Sequence, residues 1–324
     1  MANRRGEIPR PTRPEERLSV ELKGMLLKTA SFQAGVRDLI AHNRAAVTRV
    51  MTTPLLKSFT QTLNDMGCSV VSSSGASMVD RERERFRFFI DTIDGGRGLR
   101  AGVHEAWVQT AIVRPRNGEA NLSDVVMAVM TEIPVEGKNE SRVVWAAIGE
   151  GAWEDIEDMR TGILTPFPKA LHSSSEIDPR KGFIVFAAPW ASTVKPVADL
   201  QTAVFEEIAG RPLTDTDGWG LNHQVLTSAG QIYHLANGGY DAFFDCVAMF
   251  NRRGQQLGLA TRADDVAGML IAQEAGAVVY GEDGGPLRAP LDARVEVSWR
   301  GYANQKIADI FEPVIRRYLS RLSL

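Results

Sequence analysis

Cysteine is scarce in this chain: two residues, Cys68 and Cys246, among 324. Neither belongs to a C-x-x-C pair or a Cys/His cluster, which argues against a disulfide framework or a zinc site and fits a reducing cytoplasm. Histidine is nearly as rare, and His172, His223 and His234 show no metal-ligand spacing. There is no long basic run, and net charge is −3, so nucleic-acid binding has no electrostatic support. No span reaches transmembrane length, and the opening residues have no apolar h-region, so neither a membrane nor a secretory route is expected. Internal repeats and low-complexity tracts are missing too. What is present is an ordinary globular composition, 44% hydrophobic and 24% charged, with enough residues for a full core.

The chemistry concentrates between Phe89 and Arg100, Phe-Ile-Asp-Thr-Ile-Asp-Gly-Gly-Arg-Gly-Leu-Arg. An apolar, β-leaning run ends in two carboxylates, Asp91 and Asp94, and then turns through Gly95, Gly96 and Gly98. Such a strand end exposes carboxylates and backbone N–H groups together. Hard cations bind the oxygens, and phosphate binds the N–H groups. A plain charged turn after a strand accounts for the same residues. Arg97 and Arg100 are candidate phosphate contacts, with solvated surface the preferred reading for Arg100. His104 and Glu105 could face the same place, although a satisfied histidine is the simpler reading.

Residues 1–17 are read as a mobile, Arg- and Pro-rich arm. Helices are expected over 18–43 and 55–66, and strands over 68–71, 86–90, 106–113, 125–133 and 142–148. The charged run 81–85 is a solvated approach to the 86–90 strand, and Trp107, Trp145 and Trp153 are assigned to the core. The second half alternates: strands at 182–188, 240–244 and 278–280, helices at 194–208, 225–237, 263–276 and 305–322, and a polar loop over 213–220. An α+β half, 18–182, is therefore expected to precede an α/β half, 183–324.

Several pieces together resemble the inositol monophosphatase-like, magnesium-dependent phosphatases, a superfamily that includes fructose-1,6-bisphosphatases. Asp91-Thr-Ile-Asp94-Gly95 resembles D-P-I-D-G-T, and Ala147-Ile-Gly-Glu-Gly-Ala-Trp153 is similar to A-x-x-G-x-G-A-F. Ala236-Asn-Gly-Gly-Tyr-Asp-Ala242 resembles A-x-G-x-x-D-A. Asp264, with Glu274-Ala-Gly276 ten residues on, resembles W-D-x-A-A-G-x-x-x-x-E-A-G-G. The pieces are collinear from about residue 20 to 320. The resemblance implies a layered αβαβα sandwich, a homodimer, and phosphomonoester hydrolysis using Mg²⁺. It implies Asp91, the carbonyl of Ile93, Asp94 and Asp264 as ligands of Mg²⁺ or Mn²⁺. It also implies Ser228 and Asp245 on the substrate side, with Leu226 where the family has glycine.

Three family positions are different here. The acid of V-T-x-x-D falls on Met51, the first Glu of a G-E-E turn falls on Ser73, and the threonine after D-x-I-D-G is Gly96. No Asp or Glu lies between Asp38 and Asp65 or between Asp65 and Asp80, so a small slip of register restores neither acid. Asp65, Asp80, Glu82 or Glu84 would have to reach the site by another path. A lost general base costs about 10²–10⁴ in rate, and the losses act on one water, so they do not simply add. The expectation is a protein that holds a cation, with fewer ions than usual, and a phosphorylated small molecule, while hydrolysis is weak, lost or replaced. An active phosphomonoesterase with other activating residues, or a non-catalytic homologue, are the alternatives. Between Asp245 and Asp264 the chain has about a dozen extra residues, read either as a lid or specificity element or as a plain surface loop.

Overall fold

The computed structural model describes residues 18–42, 54–72, 75–80, 82–114, 120–214, 217–218 and 227–321. The arm 1–17, Met51 and Ser73 lie outside the described residues, as do Arg81, the tip of the 114–118 turn, His223 and Leu226. Two helices come first, α1 (Val20–His42) and α2 (Pro54–Asp65). Strands β1 (Cys68–Ser72), β2 (Gly75–Ser77) and β3 (Phe86–Asp94) follow, then the short helix α3 (Gly96–Ala101). A run of strands continues: β4 (Ala106–Val113), β5 (Val125–Ile133), β6 (Glu140–Ala147), β7 (Ala152–Asp158), β8 (Ile163–Leu164) and β9 (Lys169–Leu171). The second half has β10 (Ile184–Phe186), α4 (Ala191–Ala209), α5 (Ser228–Ala236), β11 (Ala242–Asp245) and α6 (Val247–Arg252). It ends with α7 (Met269–Glu274), β12 (Val278–Gly281), β13 (Trp299–Tyr302) and α8 (Gln305–Arg321).

Strand alternation sorts these elements into layers. On β4, Ala106, Val108 and Ile112 pack with α1 and α2, while Trp107, Ala111 and Val113 pack toward α5 and α7. The large sheet, ordered β2-β1-β3-β4-β5-β6-β7-β8 with β9 also on β7, is therefore covered on both faces. The small sheet β10-β11-β13-β12 repeats the arrangement. On β11, Phe243 faces the middle helices, whereas Ala242 and Phe244 face α4 and α8. The result is the expected αβαβα sandwich, with successive side chains of each strand feeding different cores. Trp107 and Trp145 are fully buried, in the cores on either face of the large sheet, and Trp153 packs against Trp145, in line with the core assignment.

Several elements differ from the sequence expectation. The helix expected over 263–276 is broken into a 3-10 turn, Asp264–Val266, and α7. Gln109 of β4 causes the break: its Nε2 donates to the Asp265 carbonyl at 2.8 Å, and its Oε1 accepts the Gly268 N–H at 3.2 Å. Both backbone groups are thereby taken out of a helical ladder. A side chain at Gly268 would also collide with Met130. The extra segment after Asp245 opens as a helix, α6, rather than a loop, and Asp245 Oδ1 accepts the Val247 N–H at its start (3.1 Å). The 182–188 strand contracts to Ile184–Phe186.

Candidate functional site

Asp91 and Asp94 lie within β3 rather than beyond it. In a regular strand, residues three apart face opposite sides. Here Asp91 is opposite Gln109 and Asp94 opposite Trp107, so β3 uses three residues against two of β4. This bulge turns both carboxylates to the inner face of the large sheet. Asp91 Oδ1 accepts the Ile93 N–H at 3.1 Å, and Asp94 Oδ2 accepts the Ala229 N–H at 2.8 Å, at the start of α5. Thr227 caps that helix, its hydroxyl accepting the Gly230 N–H at 3.0 Å. Gly95 sits beneath it with φ +94°, where any β-carbon would collide with the Thr227 methyl group. Glycine is therefore required at this position by conformation and by space.

The broken helix delivers two more acids, Asp264 and Asp265. Burial pushes Asp91 up to about 7, and the nearby charges of Asp265 and Asp264 add to the rise. Asp94 is held well above the usual carboxylate range by burial, then by Asp91 and Asp265. Asp264 is raised by burial and by Asp265. Arg262 answers this charge. Its backbone N–H donates to Asp265 Oδ2 at 2.8 Å, and its Nη2 donates to Oδ1 at 3.1 Å. Its Nε is 3.8 Å from Asp264 Oδ1, a buried oxygen that has no hydrogen bond among the described residues.

These elements enclose a cavity of about 360 Å³ between the two sheets, lined by Asp94, Ser228, Gln231, Asp245, Thr261, Arg262 and Asp265, with Trp190 and Leu259 among its apolar walls. Trp190 Nε1 donates to the Leu259 carbonyl at 2.7 Å, and the Arg97 guanidinium lies 5.3 Å from the Trp190 ring. Arginine stacked this way is a cation–π contact.

No protein-family model matches the sequence, and the search of curated proteins finds no match. Solved structures do match along almost the whole chain. Leishmania major fructose-1,6-bisphosphatase in its apo form superposes with a TM-score of 0.64 at 15% identity, covering 94% of this chain and 95% of that one. An inositol monophosphatase from Anabaena (Nostoc) gives 0.61 at 14% identity, covering 92% and 97%. SuhB from Mycobacterium tuberculosis gives 0.57 at 17% identity, covering 90% and 96%. The chain has the inositol monophosphatase/fructose-1,6-bisphosphatase fold.

Within this fold, motifs far apart in sequence meet. Glu274 of the E-A-G segment accepts the Gly149 and Gly151 N–H groups of the G-E-G turn at 2.9 and 3.0 Å. Asp94 sits at the α5 N-terminus with Ser228 beside it in the cavity wall, and Asp91 is near enough for its charge to act on Asp94. Asp264 lies near Asp91 but outside the cavity lining, whereas its neighbour Asp265 lines it. Among the described residues, no three acidic, histidine or cysteine groups stand close enough together to hold a metal ion. Asp245 also lines the cavity, but Val247 N–H and the Thr261 hydroxyl (2.5 Å) engage its two oxygens. Gly96 opens α3 and supplies no hydroxyl; Arg97 and Arg100 are exposed.

The four acids that could have replaced the lost ones lie elsewhere, and none lines the cavity. Asp65 accepts from Gln61, Asp80 accepts the Glu82 N–H, and Glu84 pairs with Arg87. Sequence reasoning did not single out Asp265, Arg262, Gln109 or Trp190. The Asp264-Asp265 doublet was the available signal for the first, and the extra segment for the second.

Proposed function

We propose that this protein binds a phosphorylated small molecule, a cyclitol, sugar or nucleotide phosphate, in the cavity beside Asp94. In this reading it uses Mg²⁺ or Mn²⁺ with fewer ions than the resembled phosphatases, and its hydrolytic activity is weak, lost or replaced. Asp91, the Ile93 carbonyl and Asp94 would hold the ion, with Asp264 behind them. Mg²⁺ suits such a set, because it keeps several waters and takes only one or two carboxylates besides substrate phosphate. The bare Asp264 oxygen and the mutual repulsion of Asp91, Asp94 and Asp265 favour added positive charge there. Such an ion supplies Lewis-acid charge to a phosphoryl group. The N–H groups of Gly95 and Gly96, Arg97 and Ser228 would meet the anion, and Asp245 would order the wall. The reading includes a cytoplasmic homodimer, two halves meeting near residue 182, and no membrane or nucleic-acid partner. No described helix is long and apolar enough to cross a membrane.

One observation carries the reading: three of the four acids on the cavity wall, all but Glu296, already have partners. Asp94 is bound by α5, Asp245 by Thr261 and Val247, and Asp265 by Arg262. A carboxylate held this way serves the architecture and is poorly placed to take a proton from water. The second reading, a working phosphomonoesterase, rests on Glu296, an exposed acid on the cavity wall. Steady-state assays with Mg²⁺ against sugar, cyclitol and nucleotide phosphates separate the two. The expected turnover is about 10²–10⁴ below the ~10 s⁻¹ of an ordinary enzyme. Ordinary turnover that disappears in Asp94→Asn and Glu296→Gln would establish the second reading instead. A third, purely structural role predicts no heat on calorimetric titration with Mg²⁺ or Mn²⁺.

A further inference from the structure

The extra segment between Asp245 and Asp264 does more than cover the fold. It runs through α6, turns, and then lines the cavity with Leu259, Ala260, Thr261 and Arg262. It thus places a fixed positive charge within the acidic cluster. The guanidinium is oriented by two acids, Asp265 through Nη2 and Asp264 across 3.8 Å from Nε. Its Nη1 has no hydrogen-bond partner among the described residues. The side chain is 45% exposed, on the cavity wall that also holds Asp94 and Ser228. An anion entering here would otherwise meet the acids of the wall, Asp94, Asp245, Asp265 and Glu296, and among the described residues that line the cavity no other is a cation.

We propose that the Arg262 guanidinium takes the place of one metal ion in this cavity, so that the protein binds the phosphate group of its ligand without any divalent cation. Guanidinium suits the task. It stays charged at every working pH, and its planar fork can bond carboxylate on one edge and phosphate on another. A divalent ion at Asp91 and Asp94 would add to this affinity but is not a condition for it. The inference rests on the phosphate-binding reading above and assigns the cation that serves it.

Calorimetric titration with inorganic phosphate, once in EDTA and once in Mg²⁺, tests both separately. The wild-type protein is expected to bind phosphate in EDTA. Arg262→Gln should lose that affinity by about tenfold or more, and Arg262→Lys should keep part of it, because charge survives without the fork. Thermal melts of each variant confirm folding, and the lysine variant carries the test if the glutamine one does not fold. Wild-type binding that appears only with Mg²⁺ overturns this inference and leaves the cavity assignment standing. Unchanged affinity of Arg262→Gln in EDTA also overturns it. No phosphate binding in either buffer removes the cavity assignment and this inference together.

Discussion

Asp91 shows how much charge the site stores. In an unfolded chain its carboxyl ionises near pH 4, but in the fold burial holds the proton until about 7. The folded state therefore binds more protons between those values, and metal-free stability falls as pH rises through them. The penalty is absent below about pH 4 and reaches about 4 kcal/mol above pH 7. Asp91→Asn removes the ionisation and keeps the oxygen that accepts the Ile93 N–H. In EDTA, its melting temperature should exceed the wild type's at pH 8, and the difference should vanish near pH 4. A pH-independent difference would show that Asp91 is not the strained group. At this scale the sequence was partly legible. Asp91 and Asp94 could be found because the acids and glycines are contiguous. Arg262 and Asp265 were signalled only by surplus length and by an acid doublet, because their importance depends on the Gln109 hydrogen bonds that break the helix and set Asp265 against the cavity.

At the scale of elements, the contact of β3 and α3 with the α5 cap is the joint that sets the site. Gly95 must adopt φ +94° under the Thr227 methyl group, with the Glu105 carbonyl only 3.1 Å from where a β-carbon would stand. Gly95→Ala should cost about 2–4 kcal/mol, from left-handed backbone strain and overpacking together. Thr227→Ser deletes the methyl and keeps the capping hydroxyl, so the double variant should recover about 1 kcal/mol or more in a denaturant cycle. Strict additivity would mean the two do not touch. Long periodic elements such as α1, α8, β4 and β5 were readable because many residues share one signal. Others gave too little. β13 has four residues, α6 has six, and α3 is a glycine-rich turn of helix closed by left-handed Gly95 and Gly102. β7 was hidden because its sequence, Ala-Trp-Glu-Asp-Ile-Glu-Asp, reads as a charged loop although Glu154 is buried, accepting the Tyr233 hydroxyl at 2.6 Å.

Across the whole molecule, the sandwich explains why the cavity is where it is. Two sheets share a middle layer of helices, and the α5 N-terminus opens into the gap between them. The layered fold was legible because its motifs are collinear. The wall of the gap was not, since the extra segment is seen only as surplus length until it folds against Trp190. On this proposal the phosphate cavity relies on protein charge, with few metal ions and no ready base. Anomalous diffraction from crystals soaked in Mn²⁺ and phosphate tests it most directly. It predicts a single Mn²⁺ beside Asp91 and Asp94, with phosphate reaching Arg262. Two or more Mn²⁺ ions bridged by a further carboxylate, with Arg262 turned away from the anion, would contradict it.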